Sequence, residues 1–379
     1  MKTRINTMRN QIKFFLLSII IVTGIGSCSD WTDLESKYEP EKFDVGYSKD
    51  ETYYENLRNF KSTMFDRKLS WAWFGGWTGE GAYLLNSLAG LPDSLDIISI
   101  WGGHDMSLTP ERKKDLEYVQ KVKGSKVLLC IICLDIGDGM TPKGLTTEER
   151  KAYWGWVDGD NESIYAAIRK YANAICDKVD EVGYDGFDLD WEPGYAHPFE
   201  TNKELAPQDR YEVFMEALAE RLGPKSGTGK LLCIDGEINA VPTRLVDSFD
   251  LFVTQAYVAK SFHALDIRDH FLSYLNKHSP EMDIAELCSK VVVTEKYEDG
   301  FFKTGGTTFT LPSGEVINSL KGMAMWNPTY KGIQYERSGG AGVFLVQYEY
   351  NVTATNGYTG FYPWIREAIQ VMNPSNESN

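Results

Sequence analysis

Several large protein classes are excluded by what this chain has little of. Only five of its 379 residues are histidine, at positions 104, 197, 263, 270 and 278, and they show no metal-ligand spacing. Neither a metal nor a cofactor is therefore expected. The early glycines Gly75-Gly76 and Gly79-Gly81 do not make a GxGxxG run. Gly227-Thr228-Gly229-Lys230-Leu231 lacks the P-loop spacing and its Ser/Thr, so nucleotide binding has no support. Basic residues are in deficit, 39 Lys plus Arg against 54 Asp plus Glu, for a net charge of −15. No basic stripe is available to neutralise a phosphate backbone, and nucleic acid is not an expected partner. The apolar run from Phe14 to Val22 is too short to span a bilayer comfortably. What remains is 42% hydrophobic and 13% aromatic content, enough for a sizeable core, which excludes wholesale disorder.

Cysteine is scarce too, and its six positions separate. Lys2, Arg4, Arg9 and Lys13 precede the run Phe14 to Val22, and Ile25-Gly26-Ser27-Cys28 follows it. This resembles a bacterial lipoprotein signal, whose cysteine is acylated after cleavage before it; an ordinary secretory peptide or a helical anchor is the alternative. The resemblance implies lipidation of Cys28 and removal of residues 1–27. With those four basic residues gone, the charge moves from −15 to −19. The acidic stretch Ser29-Asp30-Trp31-Thr32-Asp33-Leu34-Glu35 resembles the export tag of Gram-negative surface lipoproteins, implying an outer-membrane protein facing outward. Cys130, Cys133, Cys176, Cys233 and Cys288 remain. Cys130 and Cys133 form a CxxC inside the apolar run Val127 to Leu134, where strand geometry points them to opposite sides. All five read as small core residues.

Residues 28–64 read as a polar tether with a short helix near Glu51 to Phe60. Beyond them apolar or β-branched runs recur at Leu69 to Phe74, Leu95 to Trp101, Lys126 to Leu134, Tyr184 to Asp190, Leu231 to Asp235, Leu251 to Tyr257, Lys290 to Thr294 and Gly342 to Tyr348. Helical patterns lie between most of them. The clearest spans Glu162 to Val182, with Ile164, Ile168, Tyr171, Ile175, Val179 and Val182 on one stripe and Gly183 as its stop. Thr109-Pro110 opens another, Gln208 to Leu222 a third, and Tyr362 to Met372 closes the chain. Eight strands alternating with helices predict an α/β fold, a single (β/α)8 TIM barrel over residues 65–379, with a doubly wound open sheet as the alternative.

The most informative segment is Tyr184-Asp185-Gly186-Phe187-Asp188-Leu189-Asp190-Trp191-Glu192-Pro193. Strand periodicity puts Asp188, Asp190 and Glu192 on one face and Phe187, Leu189 and Trp191 on the other. Three acids on one buried face are costly unless they serve a purpose. Close carboxylates cannot all ionise, so one holds a proton near neutral pH and becomes a general acid. Glu192, last in the row, stands where barrel active sites sit. A calcium site or a structural acid cluster is the alternative, though calcium ligands usually come from loops.

DGFDLDWE resembles the fourth-strand signature of glycoside hydrolase family 18, the family of chitinases and endo-β-N-acetylglucosaminidases. That resemblance implies substrate-assisted catalysis, in which the sugar's own 2-acetamido group replaces the protein nucleophile. It implies Glu192 as acid and then base, Asp190 on the acetamido N–H, and Asp188 supporting Asp190 by sharing a proton. Gln255-Ala256-Tyr257, read as the end of the sixth strand with Gln255 and Tyr257 on one face, is similar to the QxY of the family's endoglycosidases, whose Tyr hydroxyl meets the acetamido oxygen. Trp77, Trp101, Trp326 and Tyr348, the last read on the eighth strand, are candidate sugar platforms, although packing in the core or rim explains each one better.

Two departures matter. Leu134-Asp135-Ile136-Gly137-Asp138-Gly139 stands where family chitinases usually have Ser-x-Gly-Gly. Only 47 residues separate Thr294 from Gly342, little room for the α+β insertion of many processive chitinases. An open cleft and an endo-β-N-acetylglucosaminidase acting on the chitobiose core of N-glycans or glycoproteins are therefore expected. A chitinase and a non-catalytic glycan-binding lipoprotein are the alternatives.

Overall fold

Eight parallel strands close on themselves in the computed structural model, which describes residues 49–374 except 82, 103–106, 196–201, 268–270, 279–281 and 359. They are β1 (Leu69–Gly75), β2 (Ile97–Trp101), β3 (Lys126–Ile132), β4 (Gly186–Trp191), β5 (Leu231–Gly236), β6 (Leu251–Thr254), β7 (Val291–Lys296) and β8 (Gly340–Phe344), with β8 closing onto β1. The fold is a single (β/α)8 barrel. Cys28, the signal over residues 1–27 and the tether as far as residue 48 lie outside the described residues, as do His104, His197 and His270. Glu51–Asn379 forms one compact unit, and its first element is the helix Glu51–Ser62, which buries Tyr54 and Lys61.

Alternation along the strands sorts side chains into two cores. Val127, Leu129 and Ile131 of β3 join the layer between sheet and helices, whereas Leu128 and Cys130 face the barrel interior with Trp71, Trp73, Ile97, Leu251, Val253 and Val292. Phe187, Leu189 and Trp191 of β4 likewise pack outward, which leaves Asp188 and Asp190 facing inward. All five described cysteines are buried and unpaired.

The helices follow from their caps and stripes. Asn161–Val182 starts where the Asp160 side chain accepts from the Glu162 and Ser163 N–H groups, and stops at Gly183, whose φ of 84° suits glycine. Its buried face carries Ile164, Ile168, Tyr171, Ile175, Val179 and Val182, each such side chain contributing about 1.5–3 kcal/mol on removal from water. Thr109 caps Pro110–Glu117 by accepting from Arg112 N–H. Among the described residues no helix is long and apolar enough to cross a membrane.

Two strands end earlier than their sequence runs suggest. β6 stops at Thr254, because Ala256 N–H turns back to the Thr254 carbonyl at 2.9 Å. β8 stops at Phe344, because Leu345 adopts a left-handed φ of 59° that breaks the alternation. Between β7 and β8 lie two short hairpins, Thr308–Thr310 with Val316–Asn318 and Thr329–Tyr330 with Ile333–Gln334, and between them the helix Ser319–Met325.

Candidate active site

A cleft of about 600 Å³ opens at the carboxyl ends of the strands. Its floor carries Asp190, Glu192 and Asp235, Gln255 and Tyr257 line one side, and Trp73, Trp101 and Phe344 form an aromatic wall. Ile132, Tyr195, Leu345, Lys296 and Glu298 complete it. Phe344 is the hub of the wall, with ring centroids 6.1 Å from Trp73, 6.1 Å from Trp101 and 6.3 Å from Tyr257.

Parallel pairing builds the acid floor. Asp188 on β4 is level with Cys130 on β3 and Cys233 on β5, and one step up Asp190 is level with Ile132 and Asp235. Asp188 Oδ2 accepts from Trp73 Nε1 at 2.8 Å and from Ser99 Oγ at 2.6 Å. Burial nevertheless lifts its carboxyl to about 6. Asp190 is pushed well above the ordinary carboxylate range by burial and by the charges of Glu192 and Asp188. Half-buried Glu192 is also raised, by burial and by Glu237, while a hydrogen bond from Gln255 works the other way. Each of these shifts keeps protons on the floor nearer neutral pH than free carboxylic acids would.

Carboxyl oxygens of Asp190, Glu192 and Asp235 come within 4.8 Å of one another. That is tighter than the roughly 6.5–9.5 Å an inverting glycosidase needs to seat a water between its two carboxyls.

The rim adjoining Tyr257 is held in a strained conformation. Val258, β-branched, has a φ of 56°, and its N–H is fixed by Glu295 Oε1 at 2.9 Å. Such a residue costs on the order of 1–3 kcal/mol, sustained here by a buried glutamate that also accepts from Lys296 N–H and Ser319 Oγ. Gln255 and Tyr257 therefore reach the cleft from a tight turn beyond β6, not from a shared strand face.

Three of the aromatic candidates lie away from the cleft. Trp77 is 1% exposed and donates its indole N–H to Asp115 at 2.8 Å. Trp326 is 0% exposed and donates to Asp266 at 2.9 Å. Tyr348 sits on the 3-10 turn Val346–Glu349 after β8, against Phe302, and does not line the cleft. Trp101 does line it. Sequence reading missed Asp235, Trp73 and Phe344. The inward parity of Leu231, Cys233 and Asp235, of Leu69, Trp71 and Trp73, and of Gly340, Gly342 and Phe344 is the signal that would have found them.

A row of carboxyls crowded against one another under an aromatic wall, at the carboxyl end of a (β/α)8 barrel, defines a hydrolase site of the glycosidase type. The chain belongs to glycoside hydrolase family 18, in its BT1044-like group, whose family profile matches residues 32–371. It is similar to the structure of a selenomethionine BT1044 variant with glutamate exchanged for glutamine, at 31% identity over 84% of this chain and 93% of that one, with a TM-score of 0.66. It shares the fold of the endo-beta-N-acetylglucosaminidase from Cordyceps militaris in apo form, at 20% identity over 86% of this chain and 97% of that one, TM-score 0.56. A double mutant of that enzyme, solved with fucosyl-N-acetylglucosamine-Asn, matches at 20% identity over 85% and 95%, TM-score 0.54. Among curated proteins there is no match.

Proposed function

We propose that this protein is a retaining endo-β-N-acetylglucosaminidase that cleaves the GlcNAc-β1,4-GlcNAc core of N-glycans by substrate-assisted catalysis. The observation that carries the reading is the Asp190–Glu192 pair at the cleft floor, too close for an inverting water and buried enough to hold a proton. Glu192 gives its proton to the glycosidic oxygen as the acetamido carbonyl oxygen attacks C1 and the C1–O bond breaks, leaving an oxazolinium. Glu192, now a carboxylate, takes a proton from the water that opens this ring at C1. Attack from the face the leaving group vacated retains the configuration. Asp190 accepts the acetamido N–H, Asp188 supports Asp190, and the Tyr257 hydroxyl meets the acetamido oxygen, with Gln255 beside it. Trp101 offers a ring face to the sugar.

The short β7–β8 connection, from which Glu298 lines the cleft, supports an endo-acting enzyme for glycoproteins over a chitin-processing one. The N-terminal reading adds a lipid anchor on Cys28 and an outward-facing outer-membrane location.

Mass spectrometry of a panel of N-glycoproteins, with chitooligosaccharides alongside, tests the reading. Expected is release of glycans with one GlcNAc left on each asparagine. Turnover of the chitooligosaccharides alone would overturn it.

A further inference from the structure

Asp235 has no part in the roles assigned above, yet it links the acids that do. It lies level with Asp190 in the neighbouring strand and is 1% exposed. One close grouping joins Asp190, Glu192 and Asp235, and a second joins Cys130, Asp188 and Asp235, each within 4.8 Å. Asp235 is the member common to both.

Counting donors shows what the cluster is short of. Asp235 Oδ1 accepts from Gln255 Nε2 at 2.8 Å, and Asp188 Oδ2 is supplied by Trp73 and Ser99. Asp188 Oδ1, Asp190 Oδ1 and Asp235 Oδ2 are buried without a partner. Three buried acceptors lacking donors are costly as anions, and the donor such a cluster can make from itself is a carboxyl O–H. The groups around Asp235 bring little relief. Asp188, Asp190 and Glu192 face it from β4 and its end, Cys130 from β3, Cys233 from its own strand, and Tyr257 from the turn after β6. Lys296 at the end of β7 and Glu298 in the turn after it line the same cleft, but Lys296 is paired with Asp299 at 2.7 Å.

We propose that Asp235 is a positioning residue: as the neutral acid it donates its O–H into the gap between Asp188 and Asp190, and so fixes which way the Asp190 carboxylate points. Burial, reinforced by the charges of Asp190 and Asp188, pushes its carboxyl well above the ordinary range, in keeping with this role. A neutral Asp235 also adds no negative charge beside Glu192. The inference rests on Glu192 being the acid and Asp190 the acetamido partner.

The test compares the full wild-type chain with Asp235→Asn and Asp235→Ala, following kcat and KM against pH on a glycoprotein substrate. Asp235→Ala should lower kcat about 10–100-fold with KM held within about twofold, because Asp190 loses its orientation. Asp235→Asn, which keeps a donor, should recover most of that loss and leave the alkaline limb within about 0.3 pH unit of wild type. An alkaline limb moved down by about one unit or more would mean that an ionised Asp235 had been raising Glu192, which overturns the proposal, as would an Asn variant no better than Ala. Isotope-edited infrared spectroscopy reads the proton without turnover. The protonated-carboxyl band of wild type at pH 7 should weaken in Asp235→Asn, and an unchanged band overturns the proposal. If no GlcNAc-containing substrate is turned over, the endoglycosidase reading fails while the infrared result still decides Asp235.

Discussion

Buried acids occur in this barrel in two settings, and their hydrogen bonds separate them. Asp115, on a helix outside the barrel, accepts from Trp77 Nε1, Ser87 Oγ, Leu88 N–H and Ala89 N–H, so both oxygens are doubly supplied. Asp96, just before β2, accepts from both terminal nitrogens of Arg67 and from the N–H and hydroxyl of Ser70. Asp188, Asp190 and Asp235 each keep an oxygen with no donor. A structural acid is surrounded by donors that satisfy both of its oxygens. The acids at the cleft are short of donors and crowd one another, an arrangement that stores protons instead of stability.

The largest effect expected from this contrast is at Glu192. Glu192→Gln should lower kcat by about 10²–10⁴-fold, since it removes the proton donor, while the melting temperature stays within about 2 °C of wild type. Unchanged turnover would remove Glu192 from the chemistry.

Exchanging one acid in each setting sharpens the comparison. Asp190→Asn should lower kcat about 100-fold yet leave stability unchanged or higher, because the amide replaces a carboxyl whose ionised form burial and the neighbouring acids already disfavour. Asp115→Ala should do the reverse, costing about 2–4 kcal/mol by stranding four donors, with activity per folded molecule retained. Chemical denaturation beside kinetics checks both, and equal destabilisation by the two variants would erase the distinction.

A smaller effect concerns pH. Asp188 titrates near 6 in the fold, above its ordinary 3.8, so the native state keeps a proton that the unfolded chain has already lost. Its contribution to stability therefore falls as pH rises from about 4 through 6, by on the order of 2–3 kcal/mol. Asp188→Asn should remove that share, so its melting temperature should gain on wild type across this window. A difference that stays flat or shrinks would contradict the assignment.

Much of this was legible in the sequence because it is local. The alternation in DGFDLDWE turns Asp188 and Asp190 inward and puts Glu192 at the mouth, and the stripe from Ile164 to Val182 with its Gly183 stop marks the helix. What escaped depends on register or on single backbone angles. Asp235 is an unremarked acid at the end of an apolar run until β5 pairs with β4 and sets it beside Asp190. Trp77 and Trp326 stand near loops in sequence, but each buried indole donates to a carboxylate, Asp115 and Asp266, that holds it in the core. Tyr348 was misplaced because the left-handed turn at Leu345 ends the strand two residues after Gly342.

The central claim, that the close Asp190–Glu192 pair works with the substrate's own acetamido group, is tested most directly by the anomer first formed. Proton NMR of the reducing GlcNAc during the first minutes of glycan release should show the β anomer appearing before mutarotation. Initial appearance of the α anomer would mean inversion by a protein-activated water and would contradict the account.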